Sequence, residues 1–288
     1  MAKTTDRIAL DQWYAVETSA DLGTATIRTR LLGQDILLHR SNAGEPVIRE
    51  EHDRTPGPRL PWRERYGCVW TTLGESNGEI FDIIEAAEDD RRFVPCGWVK
   101  MRASGLRVVE NFLDMAHFPF VHTDILGSEP HTEVPAYLSE IRRDVDEVWA
   151  TNCTFFQPRI AATESEGAFV HLTYRVPSPF VVMLYRVCPS APERLDAIAL
   201  FIQPMEEDLC RAQPVMYLVD QFSTHTDLLK FEQIIFLQDR IIVENQRPLL
   251  LPLEPRREIP TRADTSSVAY RRWLKEKGLR FGTTAGTG

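Results

Sequence analysis

Residues 110–122 read ENFLDMAHFPFVH, a stretch that sets four polar side chains among apolar ones. Asn111, Asp114 and His117 are spaced by three, so one face of a helix would carry them. His122 follows a proline, which should break the helix and let the two imidazoles converge. The alternative is a pair of core histidines, each hydrogen-bonded to a neighbour, but this would bury several polar groups without compensation. We therefore expect a metal or catalytic site in this stretch.

The strongest helix signal lies at residues 226–247, TDLLKFEQIIFLQDRIIVENQR, and Pro248 should stop that helix. Asp239 falls on the apolar stripe of the helix, where an unpaired carboxylate would destabilise the fold. A cation is the natural partner, although a salt bridge to Arg240 or to an arginine elsewhere is the alternative. Gln246 lies further along the same face. It is either a hydrogen-bonding group for a ligand beside the metal or part of an exposed helix end.

Two histidines and one carboxylate form the facial triad of Fe(II) oxygenases, which leaves coordination positions open. His117, His122 and Asp239 supply such a set. Zinc is the competing metal, but the sequence contains no H-E-x-x-H motif. A Ser-His-Asp hydrolase lacks support as well, since no G-x-S-x-G motif occurs.

Short β-rich runs separated by turn residues occupy much of the remaining chain. The predicted elements are strands within 11–40 and 66–74, a loop at 41–64, a helix from Ser104 to Pro119, an antiparallel sheet across 147–220, and a last helix at 265–277 with Asp264 as its N-cap and Gly278 just past its end.

Composition excludes several classes of partner. The 288-residue chain carries a net charge of -9 and has a pI near 5.4, which argues against a polyanion such as nucleic acid. Its five cysteines are scattered and do not suggest a disulfide framework. No apolar run approaches the roughly 20 residues that span a bilayer, and the start lacks the apolar core of a secretion signal. We expect a cytoplasmic enzyme with no membrane or nucleic-acid partner.

The stretch ENFLDMAHFPFVH resembles the iron-binding motif of Rieske non-haem iron oxygenase large subunits, N-x-x-D-x-x-H followed by a second histidine. LQDRIIVENQRP is similar to the late-helix motif that supplies the family's third ligand, and RYGCVWTTLG to the strand that closes its Rieske domain. The resemblance implies that His117, His122 and Asp239 ligate iron. It also implies that Asp114 relays electrons from a neighbouring subunit's cluster and that Asn111 lies near the metal.

The same resemblance implies an α+β fold of the helix-grip type, in which an antiparallel sheet surrounds a long helix. Residues 1–75 would form a residual Rieske-like β domain without cluster ligands. Residues 76–288 would form the mononuclear iron catalytic domain, with Gln246 as the candidate substrate-binding residue.

The departure from the family pattern concerns the cluster. A Rieske centre requires C-x-H and C-x-x-H motifs, yet no cysteine precedes Cys68 and none is followed by histidine at the second or third position. We therefore expect no [2Fe-2S] cluster in this chain. Electrons should come from NADH through a Rieske-containing partner reductase.

Within the family, the chain is most similar to the cluster-lacking type of subunit in bacterial methylxanthine (caffeine-pathway) N-demethylases. This implies a monooxygenase that uses Fe(II) and dioxygen to hydroxylate an N-methyl group of a small aromatic heterocycle, at N7 of a methylxanthine, with release of formaldehyde. A sibling Rieske oxygenase subunit in a hetero-oligomer is the expected further partner. Three alternatives stay open: a non-catalytic partner subunit, a family oxygenase acting on another aromatic or O-methyl substrate, and a ligand-binding module without redox chemistry.

Overall fold

A computed structural model describes residues 3–75, 78–160, 167–188 and 191–286 of the chain. Within these ranges the strands are β1 Tyr14–Thr18, β2 Ile27–Leu31, β3 Gln34–Arg40, β4 Pro46–His52, β5 Thr55–Arg59, β6 Trp62–Arg65, β7 Cys68–Thr71, β8 Arg92–Pro95, β9 Val99–Met101, β10 Leu138–Arg142, β11 Glu147–Gln157, β12 Ala168–Ser178, β13 Val181–Cys188, β14 Ala191–Glu206 and β15 Leu209–Leu218. The helices are α1 Arg7–Leu10, α2 Gly105–Leu113, α3 Phe118–Val121, α4 His225–Asn245 and α5 Thr265–Lys277.

The first seven strands form two small antiparallel sheets, with strand orders β1-β7-β6 and β2-β3-β4-β5. The prediction of a loop at 41–64 is wrong, because β4, β5 and β6 lie there. Asp53 and Arg54, both with positive φ, make the two-residue turn between β4 and β5. Two of the four prolines, Pro56 and Pro58, lie in β5, the edge strand, where a missing backbone donor is tolerated, and Pro46 is the first residue of β4. Charge and proline thus mark an edge of the sheet here.

Both small sheets are fixed to the end of the long hairpin of β14 and β15. The backbone N–H groups of Leu32 and Gly33 donate to the carbonyls of Pro204 and Met205, each at 2.8 Å. On the other small sheet, the ring of Trp70 meets the ring of Phe201 edge-on with centroids 4.9 Å apart. The expected boundary after residue 75 falls beside residues 76–77, which lie outside the described residues.

The remaining strands form one large antiparallel sheet in the order β10-β11-β12-β13-β14-β15-β8, and β9 also pairs with β15. Helix α4 begins after Thr224, whose side chain caps it by accepting from the N–H of Asp227. Its buried stripe contains Leu228, Phe236 and Val243. The large sheet and α4 line opposite sides of a cavity. The predicted α+β arrangement of an antiparallel sheet with a long helix is confirmed.

The last helix, α5, packs on β10 and β11. Gly278 ends it in the left-handed conformation at φ 77, as the sequence predicts. Asp264 precedes the helix, but its carboxylate accepts from the N–H of Thr261 at 2.6 Å and does not cap α5. Among the described residues, no helix combines the length and the apolar character needed to cross a membrane.

Candidate metal centre

The helix that carries the first half of the site ends earlier than the sequence suggests. Helix α2 begins at Gly105, where the side chain of Ser104 caps it, and it ends at Leu113. Asp114 then adopts an extended backbone with ψ 129. Pro119 lies in the first turn of α3, where its missing N–H costs nothing. The predicted helix through His117, broken by the proline, is therefore wrong in its bounds, and the break occurs at Asp114.

The break nevertheless brings the predicted ligand atoms together. His117 Nε2 lies 3.1 Å from His122 Nε2, and Asp239 Oδ1 lies 3.3 Å and 3.0 Å from these two nitrogens. His122 is fully buried and Asp239 is 8% exposed. Arg240 pairs with Glu244 instead, so the alternative of an Asp239–Arg240 salt bridge is wrong. Among the described residues, these three side chains alone form a group suited to hold a metal ion.

The spacing of the three atoms fits a metal ion. Ligand atoms about 2.1 Å from a metal and about 90° apart would lie about 3.0 Å from each other, as on one face of an octahedron. The observed separations of 3.0 to 3.3 Å are close to that value. Two imidazole nitrogens and one carboxylate oxygen are also the donors of the facial triad of Fe(II) enzymes. The donor set and its spacing therefore fit iron.

Two further side chains fix the orientation of the imidazoles. Asp114 Oδ2 lies 3.0 Å from His117 Nδ1, and its other oxygen accepts from the N–H of Ala116. Gln238 Oε1 lies 2.8 Å from His122 Nδ1. When each Nδ1 donates to these oxygens, each Nε2 presents its lone pair to the shared point between the ligands. The sequence reasoning missed Gln238, although its position next to Asp239 on the helix is a usable signal.

The electrostatics of the cluster favour a positive charge at its centre. Burial alone would lower the pKa of His117, but hydrogen bonds with Asp114 and Asp239 raise it to about 9. Burial alone would raise the pKa of Asp239, but hydrogen bonds with His117 and His122 hold it at about 2. Carboxylates around buried imidazoles stabilise either a proton or a cation at the same place. A metal ion can therefore replace the proton.

An inner cavity adjoins the three ligand side chains. Its apolar lining comes from α2, the large sheet and α4, and includes Phe112, Leu184, Ile198, Met216, Phe231 and Phe236. Its polar lining includes Asn111, Gln157, Tyr174, Arg186 and Glu232. Asn111 therefore lies near the ligands, where the resemblance expects it. The sequence reasoning missed the other four because the three strand residues follow ordinary β patterns and Glu232 resembles a surface residue of α4.

Gln246 is placed differently from the other predicted site residues. It follows the last residue of α4 and lines an outer cavity together with Asn111, Asp114, Arg107 and Arg271. Its Oε1 is buried and has no hydrogen-bond partner among the described residues. Asn111 lines both cavities. The structure thus brings together His117, His122, Asp239, Asp114 and Asn111, and sets Gln246 on the far side of Asn111.

The family described as the vanillate O-demethylase oxygenase C-terminal domain matches residues 101–280, more than half of the chain. The chain belongs to this family of Rieske-type oxygenases. The matched segment contains His117, His122 and Asp239 and also Asp114 and Gln238, which are hydrogen-bonded to the two imidazoles. The prediction of a Rieske non-haem iron oxygenase large subunit is therefore confirmed.

Two named relatives are demethylases. The chain is 44% identical over 278 residues to the probable methylxanthine N7-demethylase NdmC of Pseudomonas sp. (strain TJI-51), covering 96% of this chain and 97% of that protein. It is 28% identical over 230 residues to the methylxanthine N1-demethylase NdmA of Pseudomonas putida, covering 76% of this chain and 60% of that protein. The prediction of a non-haem iron monooxygenase of the N-demethylase kind is confirmed by this membership and these relatives.

A solved structure of NdmA from Pseudomonas putida CBB5 with caffeine matches with a TM-score of 0.74. The match covers 92% of this chain and 90% of that chain at 19% sequence identity. At this identity the likeness establishes the fold. The oxygenase fold thus extends over nearly the whole chain, including the two small sheets that precede the family match.

Proposed function

We propose that this chain is the mononuclear iron subunit of an N-demethylase that removes the N7-methyl group of a methylxanthine. The observation that carries the proposal is the triangle of His117 Nε2, His122 Nε2 and Asp239 Oδ1 beside a mostly apolar cavity. The similarity to the probable N7-demethylase supports the choice of methyl group. One dioxygen, two electrons and two protons convert the N-methyl group to N-hydroxymethyl and water, and the hydroxymethyl carbon then leaves as formaldehyde.

The protein's own residues position and shield this reaction. His117, His122 and Asp239 would hold Fe(II), and iron bound there would supply the activation of dioxygen. Asp114 and Gln238 keep both imidazoles in the tautomer that a metal needs. The apolar lining of the inner cavity excludes water from the reacting methyl group.

We propose that the electrons come from another polypeptide, and the lack of a Rieske motif in residues 1–288 supports this proposal. Asp114 is the proposed point of transfer, since it bonds His117 and also lines the outer cavity. The proposed partners are a Rieske-containing reductase that uses NADH and a sibling Rieske oxygenase subunit in a hetero-oligomer. Because the proposed reductase uses NADH, we propose that the reaction takes place in the cytoplasm.

The two parts of the chain have separate proposed roles. Residues 1–75 are proposed to form a residual Rieske-like β domain and residues 76–288 the catalytic domain. All strands from β1 to β7 lie between residues 14 and 71 and pair only with one another. The strands of the large sheet all come from residue 92 onward.

The test combines metal analysis with turnover. Purified protein, loaded anaerobically with Fe(II), should bind about one iron per chain and contain no acid-labile sulfide. With methylxanthine, oxygen, NADH and a Rieske-containing reductase it should release formaldehyde repeatedly. Without the reductase, the same mixture should yield no repeated turnover.

The outcomes separate the alternatives. Repeated turnover without a Rieske-bearing protein, or a [2Fe-2S] absorption spectrum, would contradict the cluster-free assignment. Iron binding without turnover under any partner would instead indicate a non-catalytic subunit. Release of formaldehyde from an O-methyl aromatic but not from methylxanthines would show that the proposed substrate is wrong and that the proposed demethylation chemistry is right.

A further inference from the structure

The inner cavity has a polar end whose groups lack partners. Arg186 projects from β13 and Glu232 from α4, and both line the cavity. The exposed fraction is 7% for Glu232 and 11% for the Arg186 side chain. Arg186 Nε has no hydrogen-bond partner, and no hydrogen bond reaches the carboxyl group of Glu232 from any described residue. Buried polar groups are almost always hydrogen-bonded, so both groups are poised for a ligand.

The position of this end relative to the metal centre follows from helix geometry. Glu232 and Asp239 are seven residues apart on α4, which places them on one face about 10 Å apart along the axis. Ile235 and Phe236 line the cavity between them. A flat ligand with its reacting methyl group at the metal would therefore direct its opposite edge toward Glu232.

Arg186 has a second carboxylate beside it, whereas Glu232 receives no hydrogen bond from a described residue. Arg186 Nε lies 3.9 Å from Asp196 Oδ2, and Arg186 Nη1 donates to the carbonyl of Ile160 at 3.2 Å. Asp196 is buried and also accepts from the N–H of Val219. Asp196 thus balances the charge of Arg186, while Arg186 Nε makes no hydrogen bond with a described residue. No described residue donates a hydrogen bond to the carboxylate of Glu232. Its interaction with Arg186 is electrostatic only.

Gln157 adds a further acceptor to the same lining. Its side chain is 3% exposed, and its Oε1 has no hydrogen-bond partner among the described residues. The loop after it lies against Arg186 through Ile160 and against α4 through Arg159, which stacks on the ring of Phe231. The lining of this cavity thus contains two acceptors, Glu232 and Gln157 Oε1, and one unfilled donor, Arg186 Nε.

We infer that Glu232 and Arg186 select substrates whose far edge carries a ring N–H beside a ring carbonyl. Glu232 accepts from the N–H and Arg186 Nε donates to the carbonyl, which satisfies both groups at once. This inference rests on the proposed function, because it orients the substrate of the same metal centre. An N7-methylxanthine with a free ring N–H would fit, whereas one fully methylated on the six-membered ring would leave Glu232 without a donor.

The test compares two probes that share the N7-methyl group, 7-methylxanthine and caffeine, by calorimetric titration of the iron-loaded chain. Burial raises the pKa of Glu232 to about 7, so the titration is done above pH 8, where the carboxylate is charged. A hydrogen bond to a charged group contributes about 1.5–3 kcal/mol, so 7-methylxanthine should then bind about tenfold to hundredfold more tightly. In Glu232→Leu the preference should fall to about threefold or less with iron content unchanged. Glu232→Gln keeps an acceptor and should retain most of the preference.

Matched variants separate recognition from a structural role. Arg186→Met should weaken both probes alike, because both carry ring carbonyls. Ile235→Val alters only the apolar lining and should leave the ratio of the two affinities unchanged. Equal affinities in the wild type, or an unchanged preference in Glu232→Leu, would overturn the inference.

A second pair of probes keeps the test independent of the proposed substrate. The small lactam 2-pyridone has a ring N–H beside a carbonyl, and N-methyl-2-pyridone lacks that N–H. If neither xanthine binds but the wild type prefers 2-pyridone and Glu232→Leu does not, the methylxanthine proposal fails and the recognition of the polar edge stands. If no preference appears with either pair, the inference is wrong.

Discussion

Two pairs of histidines in this chain lie in contrasting surroundings. His39 and His52 lie on the neighbouring antiparallel strands β3 and β4, and His117 and His122 lie on either side of α3. His39 faces Val47 across the sheet, and His52 lies five residues beyond Val47, about 17 Å along the strand. His52 is 56% exposed and contacts Glu50. The first pair therefore cannot share a ligand.

The second pair differs in backbone and in partners. The break at Asp114 and the short helix α3 turn both imidazoles toward one point, where Asp239 arrives from α4. Each ring also has an acceptor on its second nitrogen. The second pair has the convergent backbone and the oriented rings that a metal site needs, whereas two histidines on a regular sheet have neither.

The largest effect is expected from removing one of the three proposed ligands. Asp239→Ala or His117→Ala should lower iron from about one per chain to none and abolish turnover with it, because two donors do not retain the metal. Elemental analysis after anaerobic loading is the measurement. His52→Ala is the matched control and should keep the wild-type iron content. If Asp239→Ala retained iron, a residue other than Asp239 would be the carboxylate ligand.

Asp114→Asn should separate iron binding from electron delivery. The amide oxygen can still accept from His117 Nδ1, so iron and substrate should bind, but the carboxylate proposed for electron transfer is lost. Partner-driven formaldehyde release should fall about 100-fold. Asp124→Asn, an exposed aspartate on the same segment, should retain turnover. Full activity of the Asp114 variant would refute this route.

Gln238→Leu should weaken iron binding without abolishing it. The substitution leaves His122 Nδ1 without its acceptor, and the loss of such an orienting group costs about tenfold to hundredfold in metal affinity. Competition with a chelator of known affinity measures the change. Gln238→Glu keeps an acceptor and should restore most of the affinity. Equal iron affinity in Gln238→Leu and wild type would show that packing around His122, and not Gln238, fixes the orientation of its ring.

The pH dependence of stability should differ between metal-free and iron-loaded protein. His117 has a folded pKa of about 9 against an ordinary value of 6.5, so its contribution is complete below pH 6.5 and is lost as pH rises through 9. The Tm of the metal-free chain should therefore fall over that window. Iron requires neutral imidazole, so the iron-loaded chain should not show this loss. Metal-free Asp239→Asn should show a smaller fall, and an identical fall would contradict the assignment.

The smallest effect is expected at Gln246. Gln246→Ala should change substrate selectivity more than iron content, because the residue reaches the site only through the cavity it shares with Asn111. Loss of one neutral hydrogen bond corresponds to about a twofold to tenfold change. Relative kcat/KM values for two methylxanthines measure it. A fall in iron loading with unchanged selectivity would make the residue structural.

Polarity and spacing in the sequence were enough to propose His117, His122 and Asp239 as metal ligands. Two histidines and an aspartate among apolar residues are costly to bury unpaired, which indicated a metal site, and the family resemblance then implied that all three bind iron. The antiparallel sheet from residue 147 onward, the long helix and the cap at Gly278 followed from local patterns for the same reason, since neighbouring residues decide them. The lack of the C-x-H and C-x-x-H motifs was also visible in the sequence, because the search for a motif does not depend on the fold.

The residues that support the proposed ligands from distant parts of the chain became visible in the folded structure. Gln238 contacts His122 across 116 positions, and Arg186 and Glu232 line one cavity from a strand and a helix, arrangements that no local pattern encodes. The strands between residues 46 and 65 were not predicted, because a charged and proline-rich segment forms strands only where a neighbouring strand pairs with it. The helix end at Leu113 was likewise set by Asp114, whose carboxylate bonds His117 and the following backbone in place of another helical turn.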